Sequence, residues 1–63
     1  MTQKEVRQLV KDAIIAQGGK LYNYNFNNLQ ALYNVDSVQL QNAASYFRYS
    51  PQQANFRKKY NFH

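Results

Sequence analysis

The chain has no cysteine and no tryptophan, one proline, two glycines and one histidine. Without cysteine there is no disulfide and no thiolate zinc site. A lone imidazole, His63, leaves no second ring for a metal, and no cofactor is expected. Acid is scarce too: the three carboxylates, Glu5, Asp12 and Asp36, are scattered over the first 36 residues. Ser37, Ser45 and Ser50 have no histidine base nearby in the sequence. Gly18-Gly19 lacks the further glycine and the Lys-Ser/Thr that complete a phosphate loop. With no nucleophile–base pair in sight, the chain is not expected to be an enzyme. The longest apolar run, Ala13-Ile14-Ile15-Ala16, is far short of the roughly 20 residues that cross a bilayer. No basic stretch leading into an apolar one opens the chain, so no secretory signal and no membrane partner are expected. A cytoplasmic protein is the expectation.

What the chain does have is unpaired base and neutral amide. Residues 1–36 hold four bases (Lys4, Arg7, Lys11, Lys20) against the three acids, a net of +1; residues 37–63 hold four bases (Arg48, Arg57, Lys58, Lys59) and no acid, a net of +4. A basic half without acidic counterweight favours a polyanion, most often nucleic acid. A basic tail that merely keeps a small protein soluble is the plainer alternative. Asn and Gln contribute eight residues each and Tyr six. At 63 residues the chain makes a single domain. Domains near this length bury only about 60% of their unfolded surface.

Thr2-Gln3-Lys4-Glu5 reads as a capping box, Thr2 accepting from the amide of Glu5 and Glu5 reaching back. Val6, Leu9, Val10, Ala13 and Ile14 follow at helical spacing, with Lys4, Arg7, Gln8, Lys11 and Asp12 mostly on the other side. The spacing predicts a helix over about 2–17, its apolar stripe facing the core, ended by Gly18 and Gly19. Lys20 to Asn27 is ambiguous. Tyr22, Tyr24 and Phe26 at period two suggest a short strand, but no partner strand is visible and a lone strand does not stand in water. An extended connector near 21–26 is the preferred reading. Asn27 or Asn28 then caps a short helix, Leu29 to Tyr33, closed by Asn34 in a left-handed turn. The Tyr/Asn run is either core aromatics or a contact surface, since both residue types are common in binding faces.

Asp36 and Ser37 are good N-caps. Leu40, Ala43, Ala44 and Phe47 form one helical stripe, and the helix should stop near Tyr49 because the residue before a proline is pushed toward extended geometry. Ser50 reads as a second N-cap and Pro51 as a first helical residue. A second helix then runs from Gln52 to about Lys59, with Ala54 placed to face the first. The fold class expected is all-α: a small bundle of three to four helices.

The segment Ala44-Ser-Tyr-Phe-Arg-Tyr-Ser-Pro-Gln-Gln-Ala-Asn-Phe-Arg resembles the helix-turn-helix of phage repressors, Cro-like proteins and small excision factors. The small residue Ala44, the large apolar Phe47, the apolar-then-Ser pair Tyr49-Ser50 and the small Ala54 carry the likeness, with the motif at about 37–60. The chain departs from the pattern at Arg48, where the turn usually has Gly, and at Arg57, where an apolar residue is common. The resemblance implies that the second helix enters the major groove of double-stranded DNA. Gln52, Gln53 and Asn55 would then meet base edges, their amides matching adenine. Arg48, Ser50, Arg57, Lys58 and Lys59 would touch phosphates, which set register and supply affinity. A solvated surface is the alternative for the amides, and a charged last turn complementing the helix dipole for Arg57-Lys58-Lys59. His63 reads as a disordered end.

The expected function is that of a sequence-specific DNA-binding protein, a phage- or plasmid-type transcriptional regulator or accessory factor. A homodimer fits, because one such module makes few contacts. The rival expectation is a protein-interaction module, an inhibitor or adaptor using the Tyr/Asn surface. A third is an assembly component that meets nucleic acid without reading its sequence.

Overall fold

The computed structural model describes residues 1–62; His63, expected as a disordered end, lies outside them. Four α-helices succeed one another: α1 Gln3–Ala16, α2 Asn23–Tyr33, α3 Ser37–Tyr49 and α4 Ala54–Tyr60, with a 3-10 turn, Pro51–Gln53, between the last two. The described residues contain no strand, and no described helix is long and apolar enough to cross a membrane.

The capping box at the start of α1 is complete. The Glu5 amide donates to Thr2 Oγ1 at 3.2 Å, and the Thr2 amide donates to Glu5 Oε1 at 2.9 Å. The Thr2 backbone and side-chain hydrogen bonds hold the Glu5 carboxyl below the usual glutamate range. At the far end the Gly19 amide reaches Ile14 O at 2.9 Å and the Gly18 amide reaches Ile15 O at 3.2 Å. This is the paired-bond ending that satisfies a helix's last carbonyls. Gly18 and Gly19 both have positive φ, +69° and +98°.

The core is the contact of α1 with α3. Val6, Val10 and Ile14 on one side and Leu40, Ala43, Ala44 and Phe47 on the other are buried, joined by Val35 and Phe62. The two helices begin together: Gln3 Nε2 donates to Gln39 O at 3.1 Å, and Gln39 Nε2 donates to Met1 O at 3.3 Å. Leu21, Phe26, Leu29, Tyr46 and Phe56 pack around this pair. The α3 start at Ser37 and stop at Tyr49 agree with the sequence, as does Asn34 in the left-handed region at φ 54°.

Three expectations need correction. The connector near 21–26 is mostly helix: α2 starts at Asn23, well before Leu29. The cause is Asn25, whose Oδ1 accepts from the Tyr22 amide at 2.8 Å and so begins the helix early. Tyr22 and Tyr24 are exposed and stack on each other at 5.5 Å. Of the three alternating aromatics only Phe26 packs on the core, together with Leu29 three residues on, which is helical spacing. Second, Ser50 makes no side-chain cap; its extended backbone (φ −66°, ψ 129°) turns the chain instead. Arg48 stays inside α3, so the turn dispenses with the left-handed residue that a Gly there would supply. Third, Ala54 is exposed, while Phe56, Arg57 and Tyr60 are half-buried. Ala54 and Phe56 lie two residues apart, about 200° around the helix, so only one of them can face α3. Phe56 has the larger apolar surface to bury and takes that face, its ring 5.2 Å from that of Phe47.

The chain closes on itself at Gly19. A Cβ there would overlap the Tyr60 carbonyl, whereas one on Gly18 meets nothing. Gly18→Ala should therefore cost only the left-handed penalty, about 1–2 kcal/mol. Gly19→Ala should cost that plus displacement of α4's last turn, roughly 3 kcal/mol or more. Urea unfolding of the two variants measures the gap, and equal losses would refute the close approach.

Candidate nucleic-acid interface

Downstream of α3 the chain builds a polar surface on a short support. Gln52, Asn55, Lys58 and Lys59 are exposed. Their spacing of three to four residues keeps them on one side of the rod formed by the turn and α4. The other side carries Phe56, 5.2 Å from the Phe47 ring and 5.0 Å from the Tyr60 ring. Beyond α4, Asn61 adopts the left-handed conformation at φ 55°, and the Phe62 amide donates to Arg57 O at 2.9 Å. That ending swings Phe62 back into the core, where it is 3% exposed.

The residues the sequence singled out are not all placed alike. Gln52 and Asn55 point to solvent. Gln53 is half-buried, and its Nε2 donates to Tyr46 Oη at 3.2 Å. Arg57 is turned inward: its Nη1 donates to Phe47 O and to Ser50 O, each at 2.7 Å. It thus ties α4 to carbonyls that end α3, where a cation also complements the helix dipole. Ser50 takes part through that carbonyl, which also accepts from the Gln53 amide at 3.0 Å. Arg48 is half-buried over the Phe62 ring at 5.3 Å. Lys58 and Lys59 are exposed, Lys59 Nζ 5.3 Å from the Tyr60 ring.

A second set of cations was not assigned a role from sequence. Lys4, Arg7 and Lys11 line one open cleft with Gln8, Tyr46, Phe47 and Gln53. The Arg7 guanidinium lies over the Tyr46 ring at 4.0 Å, and Lys11 Nζ is 5.7 Å from the Phe56 ring. The signal was in the sequence as a base every three or four residues along α1. Which element that row would face was not, because it depends on how α1 crosses α3. The described residues thus hold two cationic surfaces, joined at the turn by Gln52 and Gln53.

No protein-family model, no curated protein and no solved structure matches the chain. Its chemistry has to be read from its own side chains.

Arg57→Leu should take the guanidinium donor from the Phe47 carbonyl and leave the Ser50 carbonyl with the Gln53 amide alone, at a cost of about 1.5–3 kcal/mol, the usual range for bonds to a charged donor. Arg57→Lys should recover part of that. Amide exchange over Ala54 to Tyr60 should speed up in the leucine variant; unchanged exchange would mean that Arg57 does not hold α4.

Proposed function

We propose that the chain is a small double-stranded-DNA-binding protein of the helix-turn-helix kind, a phage- or plasmid-type transcriptional regulator or accessory factor working in the cytoplasm. The observation that carries this reading is the outward row Gln52, Asn55, Lys58 and Lys59 on an element braced from behind by Phe56 and Arg57. In the proposal this row enters the major groove. Gln52 and Asn55 pair with base edges, for which an amide's adjacent donor and acceptor suit adenine. Gln53, with one N–H engaged by Tyr46, still has its carbonyl and its other N–H for a base. Lys58 and Lys59, with Arg48 and the remaining N–H groups of Arg57, meet phosphates, and Ser50 contributes from the turn. A homodimer would place two such rows on one duplex and multiply the contacts.

One observation favours a different class. Helix α2 buries Asn25 alone and leaves Leu32 73% exposed, with Tyr22, Tyr24 and Tyr33 exposed as well. Large apolar and tyrosine side chains left open in this way suit a protein partner, as an inhibitor or adaptor would need.

Salt separates the two readings. Duplex binding through about four phosphates should weaken with a logarithmic slope near −3.6 or steeper. A protein interface centred on α2 should respond far less. Asn55→Ala should narrow the difference between preferred and random duplexes by about 1–3 kcal/mol, while Lys58→Ala should weaken all duplexes alike. A fluorescence titration with random and selected duplexes at two salt concentrations reads both. Equal effects of the two substitutions on every duplex would refute base reading by Asn55.

A further inference from the structure

We infer that the cleft between α1 and the corner of α3 with the 3-10 turn is a phosphate site, and that the phosphate it takes is a backbone phosphodiester of the bound duplex. The first part stands on the chemistry of the cleft; the second rests on the DNA-binding reading above.

The polar lining is Lys4, Arg7, Gln8, Lys11, Tyr46 and Gln53, with no carboxylate among them. The carboxylates nearest in sequence are engaged with neutral partners: Glu5 accepts from Thr2, and Asp12 accepts from Gln8 Nε2 at 3.0 Å. Three formal positive charges therefore border one cleft of about 200 Å³. Lys4 and Lys11 are seven residues apart on one helix, about 10 Å along its axis. That length suits an extended anion better than a point charge.

Two details give the cleft direction. Arg7 rests on the Tyr46 ring, 4.0 Å from its centroid. A guanidinium seated over a ring face in a cation–π contact still has N–H groups to offer a forked acceptor such as a phosphate. Tyr46 Oη already accepts from Gln53 Nε2 at 3.2 Å, so its own proton is available to another acceptor. Donors converge from α1, α3 and the turn. The ring face that a nucleobase would stack on is covered by Arg7, so the cleft takes charge rather than a base. α1 then becomes a second nucleic-acid contact beside α4, insensitive to sequence and fixing register.

The test uses the full chain and two probes. Inorganic phosphate, titrated at constant ionic strength against chloride, should give saturable shifts in the side-chain N–H resonances of Arg7 and Gln53. The double variant Arg7→Gln, Lys11→Gln should abolish them, with an unchanged far-ultraviolet spectrum reporting intact helices. Tyr46→Phe should weaken phosphate without changing the charge. On duplex DNA the double variant should lose this one phosphate contact and flatten the salt slope by about 0.9, on selected and random duplexes alike. Between about 50 and 200 mM salt its affinity should then fall by a factor roughly 3.5 times smaller than that of the parent. The absence of saturable shifts overturns the phosphate site. Saturable shifts with an unflattened slope on duplex DNA assign the cleft to free phosphate and overturn the backbone contact. A parent chain that binds phosphate but no duplex overturns the DNA-binding reading and leaves the cleft standing.

Discussion

Everything in this structure leans on how closely α1 can approach α3. Ala43 and Ala44 sit side by side in α3 with no exposed surface, as do Val6, Val10 and Ile14 in α1. Side chains that small bring the two backbones together and let Leu40 and Phe47, above and below, fill the remaining space. Each large apolar side chain buried in this way contributes about 1.5–3 kcal/mol, while a chain of this length is stable by roughly 3–9 kcal/mol in all. The contact therefore decides whether there is a fold. α2 adds Phe26 and Leu29 from one side, α4 adds Phe56 from the other, and Phe62 closes the end.

The polar surface inherits its rigidity from that core. An isolated helix of α4's length is far too short to persist in water. It exists because Phe56 packs on Phe47, Arg57 bonds to α3's closing carbonyls, and Asn61 turns Phe62 inward. One cation, Arg57, is given to the fold, and Lys58 and Lys59 beside it are left to solvent. On α1 the same division runs around the helix. Val6, Val10 and Ile14 face inward, and Lys4, Arg7 and Lys11 border the cleft. Charge near an apolar core is tolerated there because aromatic faces of Tyr46 and Phe56 lie beneath it.

Local chemistry was legible in the sequence wherever a feature is decided within a few residues. The capping box at Thr2, the glycine ending after α1, the left-handed Asn34 and the break before Pro51 are all of that kind. So is the stripe Leu40, Ala43, Ala44, Phe47. The misreadings are of two kinds, local patterns that mimic another structure and contacts between distant residues. The start of α2 was hidden by an aromatic alternation that looks strand-like until the Asn25 side chain is seen capping Tyr22. The buried face of α4 was hidden because Ala54 and Phe56 point nearly opposite ways, and the packing of Phe56 on Phe47 decides between them. The inward turn of Arg57 and the gathering of Lys4, Arg7 and Lys11 beside Gln53 depend on residues up to about fifty positions apart meeting in space, which no local pattern encodes.

The meeting of Gly19 with the Tyr60 carbonyl has a further meaning for how this molecule comes apart. It sets the loop after the first helix against the last turn of the fourth, so displacing that turn also disturbs the loop. Motion that lifts α4 also loosens the cleft, because Gln53, directly before α4, lines it. The molecule should thus open as one cooperative unit rather than shed its last helix alone. The α3–α4 segment excised by itself would carry the right letters without the frame that makes them a surface.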